Sequence, residues 1–243
     1  MHSSFGKNIR NTIIVIVTAV IMLAAVFAVY VSQYYRADET ALRALESDEA
    51  VAVKQTASGW LFDGPADEKA LVFYPGGKVE ETAYAPLLHE IAARGMDAFL
   101  VKMPLRLAFL DTDAADDIIY DNEYEKWYIG GHSLGGVAAA NYAAASDHNI
   151  SGLVLLAAYP SQKLPDDITE ITVVGSEDGM VSSEDIKKAR RFAPEDYREY
   201  TIEGGNHSQF GSYGRQMGDG EALITAEKQI RETVAVIDDS CCG

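Results

Sequence analysis

Ser133 lies in Gly131-His132-Ser133-Leu134-Gly135, entered by the apolar run Trp127 to Ile129 and followed by an Ala-rich segment through Ala145. A strand, a sharp turn and a helix in that order place a serine hydroxyl at the tip of a nucleophile elbow. Gly131 and Gly135 suit such a turn because strand and helix approach too closely for a Cβ, and because φ > 0 costs glycine nothing. The pentapeptide alone also fits an ordinary glycine-rich turn, so the chemistry depends on partners elsewhere. A hydroxyl is a weak nucleophile until a base removes its proton, so the elbow predicts a downstream histidine and a carboxylate to orient it.

Of the five histidines, His2 precedes the apolar N-terminal run, His89 falls on an early helix, His148 in a turn, and His132 is directed away by the elbow. His207, in Gly204-Gly205-Asn206-His207-Ser208, follows the last predicted strand on a loop that can lean toward Ser133. For the acid, the stretch Val173 to Val181 ends a strand and enters a loop, and Asp178 has the short side chain suited to reaching Nδ1 of His207; Glu177 and Asp185 are its rivals. Ser133, Asp178 and His207 follow one another along the chain in that order. A tetrahedral oxyanion also needs donors, commonly worth roughly 3–4 kcal/mol each. Leu134 N–H follows the nucleophile at a helix start, and Gly77 N–H lies in the close-approach turn Pro75-Gly76-Gly77-Lys78.

These groups must be held by a frame, and the chain alternates accordingly. Val51 to Thr56 and Trp60 to Phe62 read as a hairpin, and Ala70 to Tyr74 as a buried strand. Tyr84 to Arg94 reads as a helix with Pro86 in its first turn and Gly95 as its stop. Ala98 to Val101 is a strand, and Asp111 to Glu125 is acidic enough to be an exposed loop or helix. Beyond the elbow, strands at Ile150 to Ala157, Ile171 to Val174 and Tyr197 to Ile202 alternate with helices at Ser182 to Phe192 and Glu221 to Ile237. The last helix carries Leu223, Ala226, Ile230, Val234 and Ile237 at helical spacing. This alternation predicts an α/β fold, a mainly parallel sheet with helices on both faces, whose site lies at the carboxyl ends of the strands.

The chain has 243 residues, a formal charge of −17 and a pI near 4.6. That acidity argues against a nucleic-acid partner, which would need basic patches. Cys241 and Cys242 are the only cysteines. They supply no disulfide framework, metal ligand set or core nucleophile, and read as two thiols on a frayed tail.

From Asn11 to Tyr35 there is no charge, and the apolar part, Ile13 to Val31, is long enough to cross a bilayer core of about 30 Å. Residues 1–10 then form a cytoplasmic head and 11–35 a transmembrane anchor. The alternative is a cleaved signal peptide ending near Val26-Phe27-Ala28, although the apolar run exceeds the usual length. Lys7 and Arg10 precede the span and all 37 acidic residues follow it, which keeps the N-terminus cytoplasmic and the body extracellular, or secreted if the segment is cleaved. Residues 36–50 read as an acidic helical stalk, and 51–240 as the catalytic domain.

The three motifs around Ser133, Asp178 and His207 resemble those of the α/β-hydrolase superfamily, in particular its small, lidless dienelactone-hydrolase-like members. The resemblance spans about Val51 to Ile237. It departs in two places: a serine stands where dienelactone hydrolases proper carry cysteine, and Pro75-Gly76 replaces the frequent His-Gly. The interval Ala158 to Glu170, where many members insert a cap domain, is too short for one. The resemblance implies a serine esterase acting on a small acyl substrate without metal or cofactor. Tyr84, Tyr159, Met180 and Phe210 are the expected substrate contacts, with Gln209 and Tyr213 as further candidates. Acyltransferase, thioesterase or peptidase chemistry would use the same triad. A non-catalytic binding module on this fold, or a membrane partner cross-linked through its cysteines, are the readings outside catalysis.

Overall fold

The computed structural model describes residues 2–66 and 68–241, with side chains from residue 10 onward. The described residues fall into two compact units, one up to Tyr34 and one from Tyr35. The first is a single helix, α1 (His2–Ser32). Its stretch Arg10–Ser32, 23 residues, is about 35 Å long at roughly 1.5 Å per residue, and its apolar side chains from Ile13 to Tyr30 are exposed. By length and composition it can span a membrane or serve as a signal sequence.

The second unit begins earlier than the sequence suggests. Tyr35 pairs with Val79, donating its N–H to the Lys78 carbonyl, and the short helix α2 (Glu39–Arg43), capped by Asp38, buries Ala41 completely. The expected solvated stalk over residues 36–50 is therefore corrected: Tyr35, Ala37, Ala44 and Leu45 pack against the core. The Ala/Leu content that suggested a helix serves tertiary packing, and only one turn of it is helical.

The body is one eight-stranded sheet. A hairpin, β1 (Ala52–Gln55) and β2 (Gly59–Asp63), leads into β3 (Lys69–Tyr74), α3 (Ala85–Ala93), β4 (Asp97–Val101), α4 (Ala115–Asp121) and β5 (Lys126–His132). Then come α5 (Leu134–Ala145), β6 (Ile150–Leu156), β7 (Thr169–Gly175), α6 (Ser183–Ala189), β8 (Asp196–Ile202) and α7 (Ala226–Cys241). Strand order is β1-β2-β4-β3-β5-β6-β7-β8, with the β1–β2 and β2–β4 pairings antiparallel and the others parallel. This is the anticipated α/β architecture. No helix interrupts the link between β6 and β7 among the described residues, so nothing there forms a cap.

Alternating side chains split the core into two layers, as the two-residue period of a strand demands. Leu71 and Phe73 of β3 face Leu87, Leu88 and Ile91 of α3 and Ile230, Val234 and Ile237 of α7. Ala70, Val72 and Tyr74 face the alanines of α5 and Ile118 and Ile119 of α4. The acidic stretch around α4 is thus exposed on one side only, its Asp116 and Asp117 pointing out while Ala115, Ile118 and Ile119 are buried.

The last helix differs from expectation at both ends. It starts at Ala226, leaving Leu223 75% exposed in the preceding loop, and runs on to Cys241, which is buried and whose carbonyl accepts from Lys69 Nζ at 2.8 Å. Cys241 therefore belongs to the core and not to a frayed tail, because the apolar stripe of α7 continues past Ile237. Cys242 lies outside the described residues.

One buried carboxyl stands in the sheet away from the elbow. Glu170 on β7 is 1% exposed; Thr172 Oγ1 donates to its Oε1 at 3.0 Å, and its Oε2 has no partner among the described residues. Burial, reinforced by the nearby Glu199 and opposed by Thr172, raises its pKa to about 7. Below the ordinary value both folded and unfolded chains hold the proton. As pH rises from there to about 7 only the unfolded chain releases it, so stability falls through that window by roughly 3 kcal/mol. Glutamine reproduces the protonated carboxyl. Glu170→Gln is expected to match the wild type at pH 4.5 and to exceed it by about 1–3 kcal/mol at pH 8 in urea unfolding. Equal pH slopes for the two proteins would contradict this.

Candidate active site

Ser133 stands between the end of β5 and the start of α5, in the middle of the sheet, with φ 52° and ψ −122°. The positive φ falls on the serine itself, which costs on the order of 1–3 kcal/mol and is held by the surrounding contacts. Its N–H donates to the Leu156 carbonyl at 3.0 Å, and its carbonyl accepts from Val137 N–H at 3.1 Å. The flanking glycines serve close approach. A Cβ on Gly131 would come within 2.6 Å of the Gly135 backbone, and one on Gly135 within 2.2 Å of the Tyr74 carbonyl oxygen. Alanines at 138, 139, 140 and 143 continue that proximity along α5.

Asp178 and His207 come from the loops after β7 and β8 and meet as a buried pair, Oδ2 to Nδ1 at 2.9 Å with both side chains 1% exposed. Asp178 Oδ1 accepts from Met180 and Val181 N–H, each at 2.8 Å, which fixes the carboxylate plane. The rivals are occupied elsewhere: Glu177 accepts from Ser176 Oγ, and Asp185 forms the capping box of α6 with Ser182. His207 Nε2 is buried and has no hydrogen-bond partner among the described residues. With Nδ1 turned to the carboxylate, Nε2 is the nitrogen left to exchange a proton with a nucleophile.

The histidine loop is held from below by two residues whose part the sequence does not disclose. Gln229, on α7 and fully buried, accepts from Asn206 N–H at 3.0 Å and donates to the Asn206 carbonyl at 2.7 Å. Asp219 accepts from His207 N–H, from Ser208 N–H and Oγ, and from Gly179 N–H in the acid loop. Burial raises the Asp219 carboxyl, but the Ser208 hydroxyl and the N–H groups of Ser208, Gly179 and His207 outweigh it and hold it below its ordinary value. One carboxylate thus ties the acid loop to the histidine loop. The only sequence signal for it is an acid between Gly218 and Gly220.

Gly77 packs its backbone on Leu134, where a Cβ would meet Leu134 Cδ2 at 2.8 Å. No acceptor for either N–H occurs among the described residues, whereas Gly76 N–H is committed to the Tyr84 hydroxyl at 3.0 Å. The substrate contacts divide. Met180 is 47% exposed and Tyr159 half-buried, both open to solvent. Tyr84 and Phe210 are 0% exposed, so the expectation that they touch substrate is corrected: both pack around the His132 ring beneath the elbow. Tyr213 is likewise buried, stacked near Tyr35 and Tyr84. Among the described residues no cluster of histidine, cysteine or acidic side chains is arranged to hold a metal.

Residues 70–231 match the model of the alpha/beta hydrolase family. No curated protein sequence matches the chain. Among solved structures, the Mycobacterium tuberculosis esterase is similar at TM-score 0.57 and 14% identity, covering 82% of this chain and 96% of that one. A predicted CIB-like hydrolase from Thermoplasma acidophilum aligns at TM-score 0.55 and 15% identity, covering 78% and 100%. Thermogutta terrifontis esterase 2 aligns at TM-score 0.54 and 17% identity, covering 81% and 96%; the same enzyme is known phosphonylated by cyclosarin and with propionate bound. At these identities the likeness is one of fold.

Proposed function

We propose that this chain, which belongs to the alpha/beta hydrolase family, is a serine hydrolase cleaving a carboxylic ester or related acyl bond through Ser133, His207 and Asp178. The observation that carries the reading is the buried Asp178–His207 pair with Nε2 unpartnered, on the same end of the sheet as a serine held at positive φ. His207 Nε2 takes the Ser133 proton as Oγ attacks the acyl carbon. Leu134 and Gly77 N–H groups hold the oxyanion, whose collapse expels the alcohol with the proton from His207. Water, giving a proton to His207, then attacks the acyl-enzyme, and His207 passes that proton to Ser133 Oγ as its bond to the acyl carbon breaks and the acid is released. Asp178 keeps the imidazole in the required tautomer and stabilises its charged form. The sequence of steps is complete without a metal or organic cofactor.

The domain is anchored by residues 11–35, with the basic head cytoplasmic and the catalytic unit outside, in keeping with the charge bias around Arg10–Ser32. Cleavage of that segment would instead release it.

Among the described residues no helix is inserted between β6 and β7 to cover a long chain, and Tyr159 and Met180 are open to solvent. The propionate held by Thermogutta terrifontis esterase 2 is an acyl group of the size favoured here. Across p-nitrophenyl esters of graded length, kcat/KM is expected to be highest for C2 to C4 acyl groups; a higher value for C12 would contradict an open, shallow site.

A further inference from the structure

Beneath the elbow a chain of hydrogen bonds joins the oxyanion turn to the histidine loop. None of the proton transfers above uses it. Gly76 N–H lies 3.0 Å from the Tyr84 hydroxyl oxygen, that oxygen 2.8 Å from His132 Nδ1, and His132 Nε2 3.0 Å from the His207 carbonyl oxygen. The two ends fix every proton between them. A carbonyl only accepts, so His132 carries its proton on Nε2; Nδ1 then accepts the Tyr84 O–H, and the Tyr84 oxygen accepts Gly76 N–H. The bonds run one way, from Gly76 to His207, and such aligned chains strengthen one another in a low-dielectric interior.

The chain is buried and tightly packed. Tyr84 is 0% and His132 1% exposed. The His132 ring centroid is 4.5 Å from that of His207, and a Cβ on Gly76 would lie 2.7 Å from the Tyr84 oxygen and 2.8 Å from His132 Nδ1. Only glycine lets the turn settle on this pair. Burial first, and then the neighbouring His207, hold His132 well below the ordinary histidine value, while burial raises the Tyr84 phenol. Both groups stay neutral around neutral pH, as the proton order requires.

We propose that Tyr84 and His132 are positioning residues, a neutral relay that fixes the spacing between the oxyanion turn at Gly76 and Gly77 and the His207 loop. Neither touches the reacting atoms. The inference rests on the serine-hydrolase reading: Gly77 is the donor next to the anchored Gly76, and His207 is the base whose backbone the relay pins. A displacement of about 1 Å at either end costs catalysis on the order of a hundredfold.

The test uses the full chain, with kcat and KM on a short-chain ester, the rate of fluorophosphonate labelling at Ser133, and ¹⁵N spectra of the histidines. Tyr84→Phe is expected to lower kcat and the labelling rate together by about 10–100-fold, with KM within about twofold of wild type. His132→Gln, which keeps an amide donor for the His207 carbonyl, is expected to retain more activity than His132→Leu. The spectra should show wild-type His132 neutral with its proton on Nε2 from pH 6 to 9, a result independent of how the variants fold. Wild-type labelling with unchanged kcat in Tyr84→Phe, or a charged or Nδ1-protonated His132, would overturn the relay and leave the hydrolase reading standing. Absence of labelling in the wild type would overturn both.

Discussion

Ser133→Ala is expected to lower kcat on a short acyl ester by about 10⁵–10⁶-fold while leaving the fold intact, because the substitution removes the nucleophile from a position that only backbone contacts maintain. The Ser133 N–H bond to the Leu156 carbonyl and the Val137 bond to the Ser133 carbonyl persist in alanine. The side chain itself supplies no helix cap. Residual rate over water should come from the Leu134 and Gly77 donors and from substrate binding, neither of which the substitution touches. Steady-state kinetics beside thermal unfolding checks both halves: a variant that keeps more than about a tenth of the activity would show that Ser133 does not form the acyl-enzyme.

Asp178→Asn is expected to cost about 10⁴-fold in kcat. An amide in that place can present its N–H₂ to His207 Nδ1, which favours the tautomer with the proton on Nε2, the wrong nitrogen for accepting a proton from serine. The geometry that makes this severe is the full commitment of the carboxylate: Oδ2 to the imidazole, Oδ1 to two backbone N–H groups. Glu177→Gln, whose side chain instead meets Ser176 Oγ, is expected to leave kcat within about threefold. Comparable losses in the two variants would return the acid's identity to the choice between them.

Local order carried the fold a long way. Strand runs such as Ala70 to Tyr74 and the glycine-flanked Ser133 encode their own geometry, since a five-residue apolar run and a turn too tight for Cβ have few alternatives. The Asp178–His207 pair was readable for a related reason: both residues sit just beyond parallel strands, and parallel strands deliver their loops to one end of the sheet. What escaped was set by contacts between distant segments. Tyr84 looks like a substrate aromatic until α3 and the turn at Gly76 close over it, and nothing local to Asp219 or Gln229 announces that they clamp the histidine loop. Residues 36–50 have the composition of a solvated linker, yet Ala41 is buried and α2 packs against α3, in another part of the chain. Leu223 fits the helical period of α7 by chance, while its N–H bonds the Gly204 carbonyl in the loop before the helix starts at Ala226.

Fluorophosphonate labelling followed by peptide mapping bears most directly on the central claim. With the full chain at several values between pH 6 and 9, the wild type should carry one phosphonyl group on Ser133 and Ser133→Ala none. Failure of the wild type to label at any pH in that range, or equal labelling of the alanine variant, would contradict the assignment of Ser133 as the nucleophile.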